Sequence, residues 1–184
     1  MFLGHIKTRD KPVIYATCGI PGAGKTTFVN AQMAAGVFPS DAYILNPDRV
    51  MQALPEYIDD KNSIGAQAAY EKWEMPAREL AYAMAEQAIE MRADIIKDMG
   101  CVRVENHDML LRLKQCGYVV NMYYIDCDID TAITRVHGRD FQISDDEIRA
   151  RYDNLQGMLP LYKNLADHFT VYDAFTTPLK RFGT

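Results

Sequence analysis

Gly19-Ile20-Pro21-Gly22-Ala23-Gly24-Lys25-Thr26 follows directly on the strand-like run Val13–Cys18. Its spacing, Gly-x-x-x-x-Gly-Lys-Thr, matches the phosphate-loop template at every fixed position. The glycines let successive amides curl toward an anion with no side chain in the way. A helix that starts at the lysine and reads to about Ala35 aims the positive end of its dipole at the same anion. Lys25 is then placed for the β- and γ-phosphates and the Thr26 hydroxyl for Mg²⁺. The whole stretch Gly19, Ile20, Pro21, Gly22, Ala23, Gly24, Lys25, Thr26 and Thr27 is read as the nucleotide cradle. No Asn-Lys-x-Asp run follows, which weakens a guanine-selective switch and leaves ATP as the expected nucleotide.

Outward from the loop, short β-rich runs alternate with longer helical ones, the pattern of a parallel sheet with crossover helices. Ala42–Asn46 reads as a second strand stopped by Pro47. From Gly65 to Arg92 the positions Tyr70, Trp73, Ala77, Leu80, Ala81, Met84, Ala85 and Ala88 recur at three and four, an amphipathic helix. Pro76 inside it predicts a kink or break near Met75. Ala93–Asp98 is a third strand, Glu105–Cys116 a helix stopped at Gly117, and Tyr118–Asp126 the strongest strand. A short helix from about Ile129 to Val136 leads into a loop over Gly138–Ile143. Ser144-Asp145-Asp146-Glu147 is a capping box opening the next helix, and Phe169–Tyr172 a fifth strand. The expected fold is α/β: a three-layer P-loop NTPase sandwich with a five-stranded, mainly parallel sheet and an arginine-bearing lid at about 135–150.

At 184 residues and roughly 150 per domain, the chain is read as one domain spanning 1–184. Apolar residues make up 48% of it, enough for one substantial core. Twenty basic residues against 25 acidic ones give a net charge of −5 and a pI near 5.3. That excludes holding nucleic acid by bulk charge and leaves only a local basic groove for it. No apolar run approaches the ~18 residues of a membrane span, so no membrane partner is expected. Cys18, Cys101, Cys116 and Cys127 form no C-x-x-C pair, and without an export signal they read as buried, reduced thiols of a cytoplasmic protein. His107 and His168 have no partner at metal-ligand spacing.

In a doubly wound sheet the ligand sits beyond the carboxyl ends of the strands, so those ends supply the candidates. After the second strand comes Asn46-Pro47-Asp48-Arg49. An aspartate facing the γ-phosphate can take the proton of an incoming hydroxyl, which makes a kinase rather than a hydrolase. Asp48 is the candidate base; its alternative reading is an N-cap for a helix over Arg49–Leu54. Asn46 and Arg49 beside it are candidate substrate contacts. Asp98 ends the third strand and is a candidate for substrate or for ordering Mg²⁺ through water, with an ordinary strand-end carboxylate as the alternative. Arg135 and Arg139, four apart, fall on one face of a short helix. As a lid they would cover the transferring phosphoryl group and stabilise its charge; the alternative is a solvated face paired with Asp140, Asp145 or Asp146.

Gly19–Thr27, Asn46-x-Asp48, Asp98, and Arg135-x-x-x-Arg139 followed by Ile143, Ile148-Arg149 and Tyr152 resemble the kinase domain of polynucleotide 5′-hydroxyl kinases, from about Val13 to Tyr162. Asn46-Pro47-Asp48 through Leu54-Pro55-Glu56-Tyr57 resembles a second group, the zeta-toxin kinases of nucleotide sugars. The resemblance implies a general base at Asp48, phosphate grip by Lys25 and Thr26, and γ-phosphate stabilisation by Arg139 with Arg135 assisting. The polynucleotide kinase pattern has an arginine three residues after the base, where this chain has Met51 and its nearest basic residue is Arg49. The expected activity is transfer of the γ-phosphate of ATP, with Mg²⁺, to a hydroxyl of a nucleic acid or nucleotide. A strand terminus, a modified base within DNA, a free nucleotide and a nucleotide sugar all stay open as acceptors. A zeta-toxin-like nucleotide-sugar kinase and a non-catalytic nucleotide switch or ATPase are the alternatives, and a homo-oligomer is left open.

Overall fold

The computed structural model describes residues 3–138 and 143–174, together with the backbone of 180–181. Arg139 and the loop residues up to 142 lie outside the described residues. Five strands, β1 (Val13–Cys18), β2 (Tyr43–Leu45), β3 (Ile95–Lys97), β4 (Val119–Asp126) and β5 (His168–Asp173), are joined by helical crossovers. The helices are α1 (Lys25–Ala34), α2 (Pro47–Gln52), α3 (Pro55–Ile64), α4 (Ala66–Glu90), α5 (Val104–Gln115), α6 (Ile129–His137) and α7 (Asp145–Leu165). These strands are parallel in the order β2-β3-β1-β4-β5, and a two-residue strand β6 (Lys180–Arg181) adds antiparallel to β5. The five-stranded parallel expectation holds, with that short edge strand added.

β1 sits centrally because it can be buried on both faces: Ile14, Ala16 and Cys18 are sealed on one side, Thr17 on the other. Its register with β3 (Ile14↔Ile95) and β4 (Ile14↔Val120) brings the ends of all three strands to one crevice. Chain order reverses there, β3 lying on one side of β1 and β4 on the other, which is where such sheets bind ligands. At the opposite end, Arg9 ties the entry to the sheet, donating to Asp94 at 2.8 Å and Asp41 at 2.6 Å.

Four sequence expectations change. α4 runs unbroken for 25 residues through Pro76. Met75 and Pro76 are exposed, so the carbonyl left without a helical donor faces water, while Ala69, Ala77, Ala81, Ala85 and Ala88 hold the other face to the core. α3, not expected from the sequence, begins at a proline in first-turn position and buries only Tyr57. The N-cap of α2 is Asn46, whose side chain accepts from Arg49 N, so Asp48 is a first-turn residue and not the cap. Cys116, at the C-cap of α5, is exposed, while Cys18, Cys101 and Cys127 are buried. Among the described residues no helix is long and apolar enough to cross a membrane.

Candidate active site

The phosphate loop leaves β1 at Cys18 and closes into α1 at Lys25. Gly24 caps α1 at φ +95°, a left-handed conformation that a side chain would strain. Gly22, at φ +84°, presses on α6: a Cβ there would stand 2.3 Å from the Ala132 carbonyl oxygen. Gly19, Pro21, Gly22, Gly24, Lys25, Thr26 and Thr27 line a cavity of about 440 Å³. Ile20 and Ala23 are buried behind it and shape the turn, Ala23 N donating to Ile20 O at 3.2 Å. Lys25 Nζ reaches the Ile20 carbonyl at 2.8 Å, curled over the loop it serves.

Facing the loop across this cavity is the start of α2. Asp48 is exposed in its first turn and lines the cavity with Asn46 and Asp98. Asn46 spends both ends of its amide on the protein: its oxygen caps α2 at 3.1 Å, and its nitrogen donates to Asp98 Oδ2 at 2.7 Å. Asp98 is 5% exposed, and its second oxygen, Oδ1, has no hydrogen-bond partner among the described residues. A buried carboxylate oxygen left open beside a phosphate loop fits a donor from substrate or a water of a hydrated cation. Were Mg²⁺ to bind with the nucleotide, the Thr26 hydroxyl would be the group on this wall to hold it.

The far wall comes from elements with no motif in the sequence. α4 contributes Tyr70, Glu74 and Arg78; α7 contributes Glu147, Arg151 and Asn154; the segment after β3 contributes Met99 to Arg103, and α5 adds Asn106. Arg78 is paired with Glu74 at 2.8 Å, and Arg151 with Glu147 one turn before it. Burial pushes the Tyr70 phenol up to about 12, and the charges of Glu74 and Asp48 add to that against Arg151 and Arg78. Tyr70 thus stays protonated across the neutral range. Spacing of 147, 151 and 154 on one helical face was the available sequence signal for α7; Arg103 had none, since it is a helix-flanking residue in a loop.

Two expected residues stand elsewhere. Arg49 points away from the cavity to Asn30 Oδ1. Arg135 does not line the cavity either: its guanidinium donates to Gly22 O at 3.3 Å and Ala174 O at 3.0 Å, behind the phosphate loop. α6 packs so tightly on Gly22 that the guanidinium meets the loop's carbonyl side. Arg139 lies outside the described residues. Met51 is 1% exposed, part of the core under α2, so the position of the polynucleotide kinase arginine cannot face an acceptor here.

Among curated proteins none matches the sequence. Solved structures do. The protein of the PezAT chromosomal toxin–antitoxin system of Streptococcus pneumoniae superposes with a TM-score of 0.70 at 16% identity, over 94% of this chain and 72% of that one. AvrRxo1-ORF1 in complex with AvrRxo1-ORF2, crystallised with ATP, gives 0.66 at 16% identity; this chain covers 55% of that protein's length. The Pnkp1/Rnl/Hen1 RNA repair complex gives only 0.57 at 16%, covering 82% of this chain and 46% of that one. These likenesses show the P-loop kinase fold, and they reverse the order of the two sequence resemblances: the polynucleotide kinase is the more distant neighbour. The family model for zeta toxin matches residues 3–176, nearly the whole chain. The protein belongs to the zeta toxin family, and with its phosphate loop and facing carboxylate it is an ATP-dependent phosphotransferase acting on a hydroxyl group.

Proposed function

We propose that the protein transfers the γ-phosphate of ATP to a sugar hydroxyl of a nucleotide sugar. The observation that carries this reading is one cavity with Lys25 and Thr26 on one wall and Asp48 on the other. Its volume of about 440 Å³ falls in the range of small-molecule sites. Beyond the phosphate loop its charged lining is balanced, Arg78, Arg103 and Arg151 against Asp48, Glu74, Asp98 and Glu147. A polymer held by its phosphates calls for a basic trough instead. Membership of the zeta toxin family supports the same acceptor class, as does the buried Met51.

In this mechanism the amides of the phosphate loop and Lys25 hold the β- and γ-phosphates in line with the acceptor. Asp48 takes the proton of the attacking hydroxyl as the bond to phosphorus forms. Asp98 Oδ1 accepts from a neighbouring hydroxyl of the sugar, and Arg78, Arg103 and Arg151 face the acceptor's diphosphate. Mg²⁺, held by Thr26 with the ATP phosphates, would supply charge neutralisation on the transferring group. Arg139 stabilises the γ-phosphate, and Arg135 braces the phosphate loop through the Gly22 carbonyl.

The test offers γ-labelled ATP with Mg²⁺ and a panel of UDP-sugars, nucleosides, 5′-hydroxyl oligonucleotides and hydroxymethylated DNA. Label on a UDP-sugar is expected. Label only on an oligonucleotide or DNA would restore the nucleic-acid acceptor, and label only in inorganic phosphate would make the protein an ATPase.

A further inference from the structure

Lys97 is an anomaly in the middle of the sheet. It sits on β3 with its side chain wholly removed from solvent. Among the described residues its ammonium has two partners: Asn106 Oδ1 at 2.7 Å and Cys101 Sγ at 3.3 Å. Neither is a carboxylate. Burying an ammonium against an amide and a thiol is unfavourable compared with an apolar side chain of the same length. A cationic side chain kept there at that cost calls for a reason beyond packing.

One bond ends on the segment that follows β3, at Cys101, and the other in the first turn of α5, at Asn106. Cys101 holds a left-handed backbone, φ +55°, which a non-glycine residue adopts only when its surroundings impose it. Asn106 turns its own nitrogen to the Arg103 carbonyl at 3.3 Å, and the Tyr162 hydroxyl of α7 donates to that same carbonyl at 3.4 Å. Upstream, the Thr17 hydroxyl bonds the carbonyls of Lys97 and Met99, both at 3.2 Å. The chain of contacts therefore runs from the ammonium through Asn106 to Arg103, at the entrance of α5. Met99, Cys101, Val102, Arg103 and Asn106 all line the cavity.

We infer that Lys97 is a positioning residue for the acceptor: from inside the sheet its ammonium holds Cys101 and Asn106, and through Asn106 it sets the Arg103 turn that faces the acceptor's diphosphate. This rests on the reading that the wall opposite the phosphate loop takes a nucleotide sugar. It assigns Lys97 no contact with either substrate, and it gives the last residue of β3 and the residue after it separate tasks. Asp98 meets ligand, while Lys97 sets the loop beyond it.

The experiment compares Lys97→Met, Arg103→Ala and the double variant in the UDP-sugar assay, with amide hydrogen exchange read on the same proteins. Lys97→Met should raise the KM for the UDP-sugar about tenfold while kcat and the KM for ATP change by less than about twofold. Because Lys97 acts through Arg103, the double variant should be no more than about twofold worse than Arg103→Ala alone. Amides of residues 98–106 should exchange faster, with those of α1 and β4 unchanged. An unchanged acceptor KM, multiplying effects in the double variant, or faster exchange throughout the protein would each overturn the inference. Should Lys97→Met fail to fold, Asn106→Ala cuts the same link while keeping the cysteine contact, and it must give the same KM shift and local exchange. If the wild-type protein phosphorylates no UDP-sugar, the proposed acceptor falls, and the exchange pattern alone decides whether Lys97 sets the loop.

Discussion

Asn46→Asp tests the geometry of the site with a change of one group. The substituted side chain still accepts from Arg49 N, so the cap of α2 survives. What changes is the 2.7 Å contact with Asp98, where an amide donor gives way to a second carboxylate. Two full charges at that separation repel by about 6 kcal/mol at an effective dielectric constant of ~20, an upper bound before the side chains relax. The pair escapes by sharing a proton, which raises its second ionisation; about 2 pK units is a moderate figure for such a dyad. At ~1.36 kcal/mol per unit, that is about 2.7 kcal/mol of stability. Its sign follows from linkage. A carboxyl whose folded pKa lies above its unfolded value of about 3.9 binds its proton more tightly in the folded state. Stability is therefore retained at low pH, where the shared proton replaces the amide donor, and is lost as pH rises from about 4 to about 6. Urea unfolding of both proteins at pH 4.5, 6 and 7.5 measures this. The lowest of these pH values already lies above the unfolded pKa, so the variant should fall behind the wild type by about 1.8 kcal/mol more at pH 7.5 than at pH 4.5. A gap of constant size across the range would refute the Asn46–Asp98 contact.

Asp48→Asn should lower kcat by about 10²–10⁴-fold with ATP affinity nearly intact, measured by turnover and nucleotide titration; unchanged turnover removes Asp48 as the base. Arg139→Ala should reduce kcat by a larger factor than it raises the KM for ATP, and equal factors would point to ground-state binding only. Gly22→Ala puts a Cβ 2.3 Å from the Ala132 carbonyl at a φ of +84°, so both melting temperature and ATP binding should drop; an unaltered pair of values would contradict the packing of the loop on α6. Asp167 is held below the usual carboxylate range by the Lys114 ammonium and then by the Val120 amide. Its contribution is present above about pH 4 and fades as the pH falls below that, so Asp167→Asn should flatten part of the acid limb of stability followed by circular dichroism.

The motif-bearing half of the site could be read from the chain because its chemistry is local. A phosphate loop needs glycines, a lysine and a threonine at fixed spacing between a strand and a helix, and all of these are contiguous. The placing of Asp48 beyond a strand end followed from the switch-point rule, whereas the strand order came only from the structure. The other half is non-local. Tyr70, Arg78, Arg103 and Arg151 come from three separate segments, and only the packing of α4, α5 and α7 around the crevice brings them to one wall. Nothing in their individual spacing separates them from solvated helix faces. Arg135 shows a related limit: helical spacing predicts which face a side chain takes, but the close approach of α6 to Gly22 decides what that face meets. Pro76 shows the opposite limit, a local rule outweighed because the lost hydrogen bond lies toward water.

Gly19 donates its amide to the Gly100 carbonyl at 3.1 Å, and a Cβ on Gly100 would stand 3.0 Å from the Gly19 carbonyl oxygen. The donor cradle and the turn after β3 thus share one seam, tight against a side chain on the Gly100 bank, while a Cβ on Gly19 would instead meet the Ile125 carbonyl oxygen at 2.9 Å. Widening that seam by a methyl group would displace both banks together, so the two Michaelis constants should move in concert, and changes on opposite banks should combine less than multiplicatively.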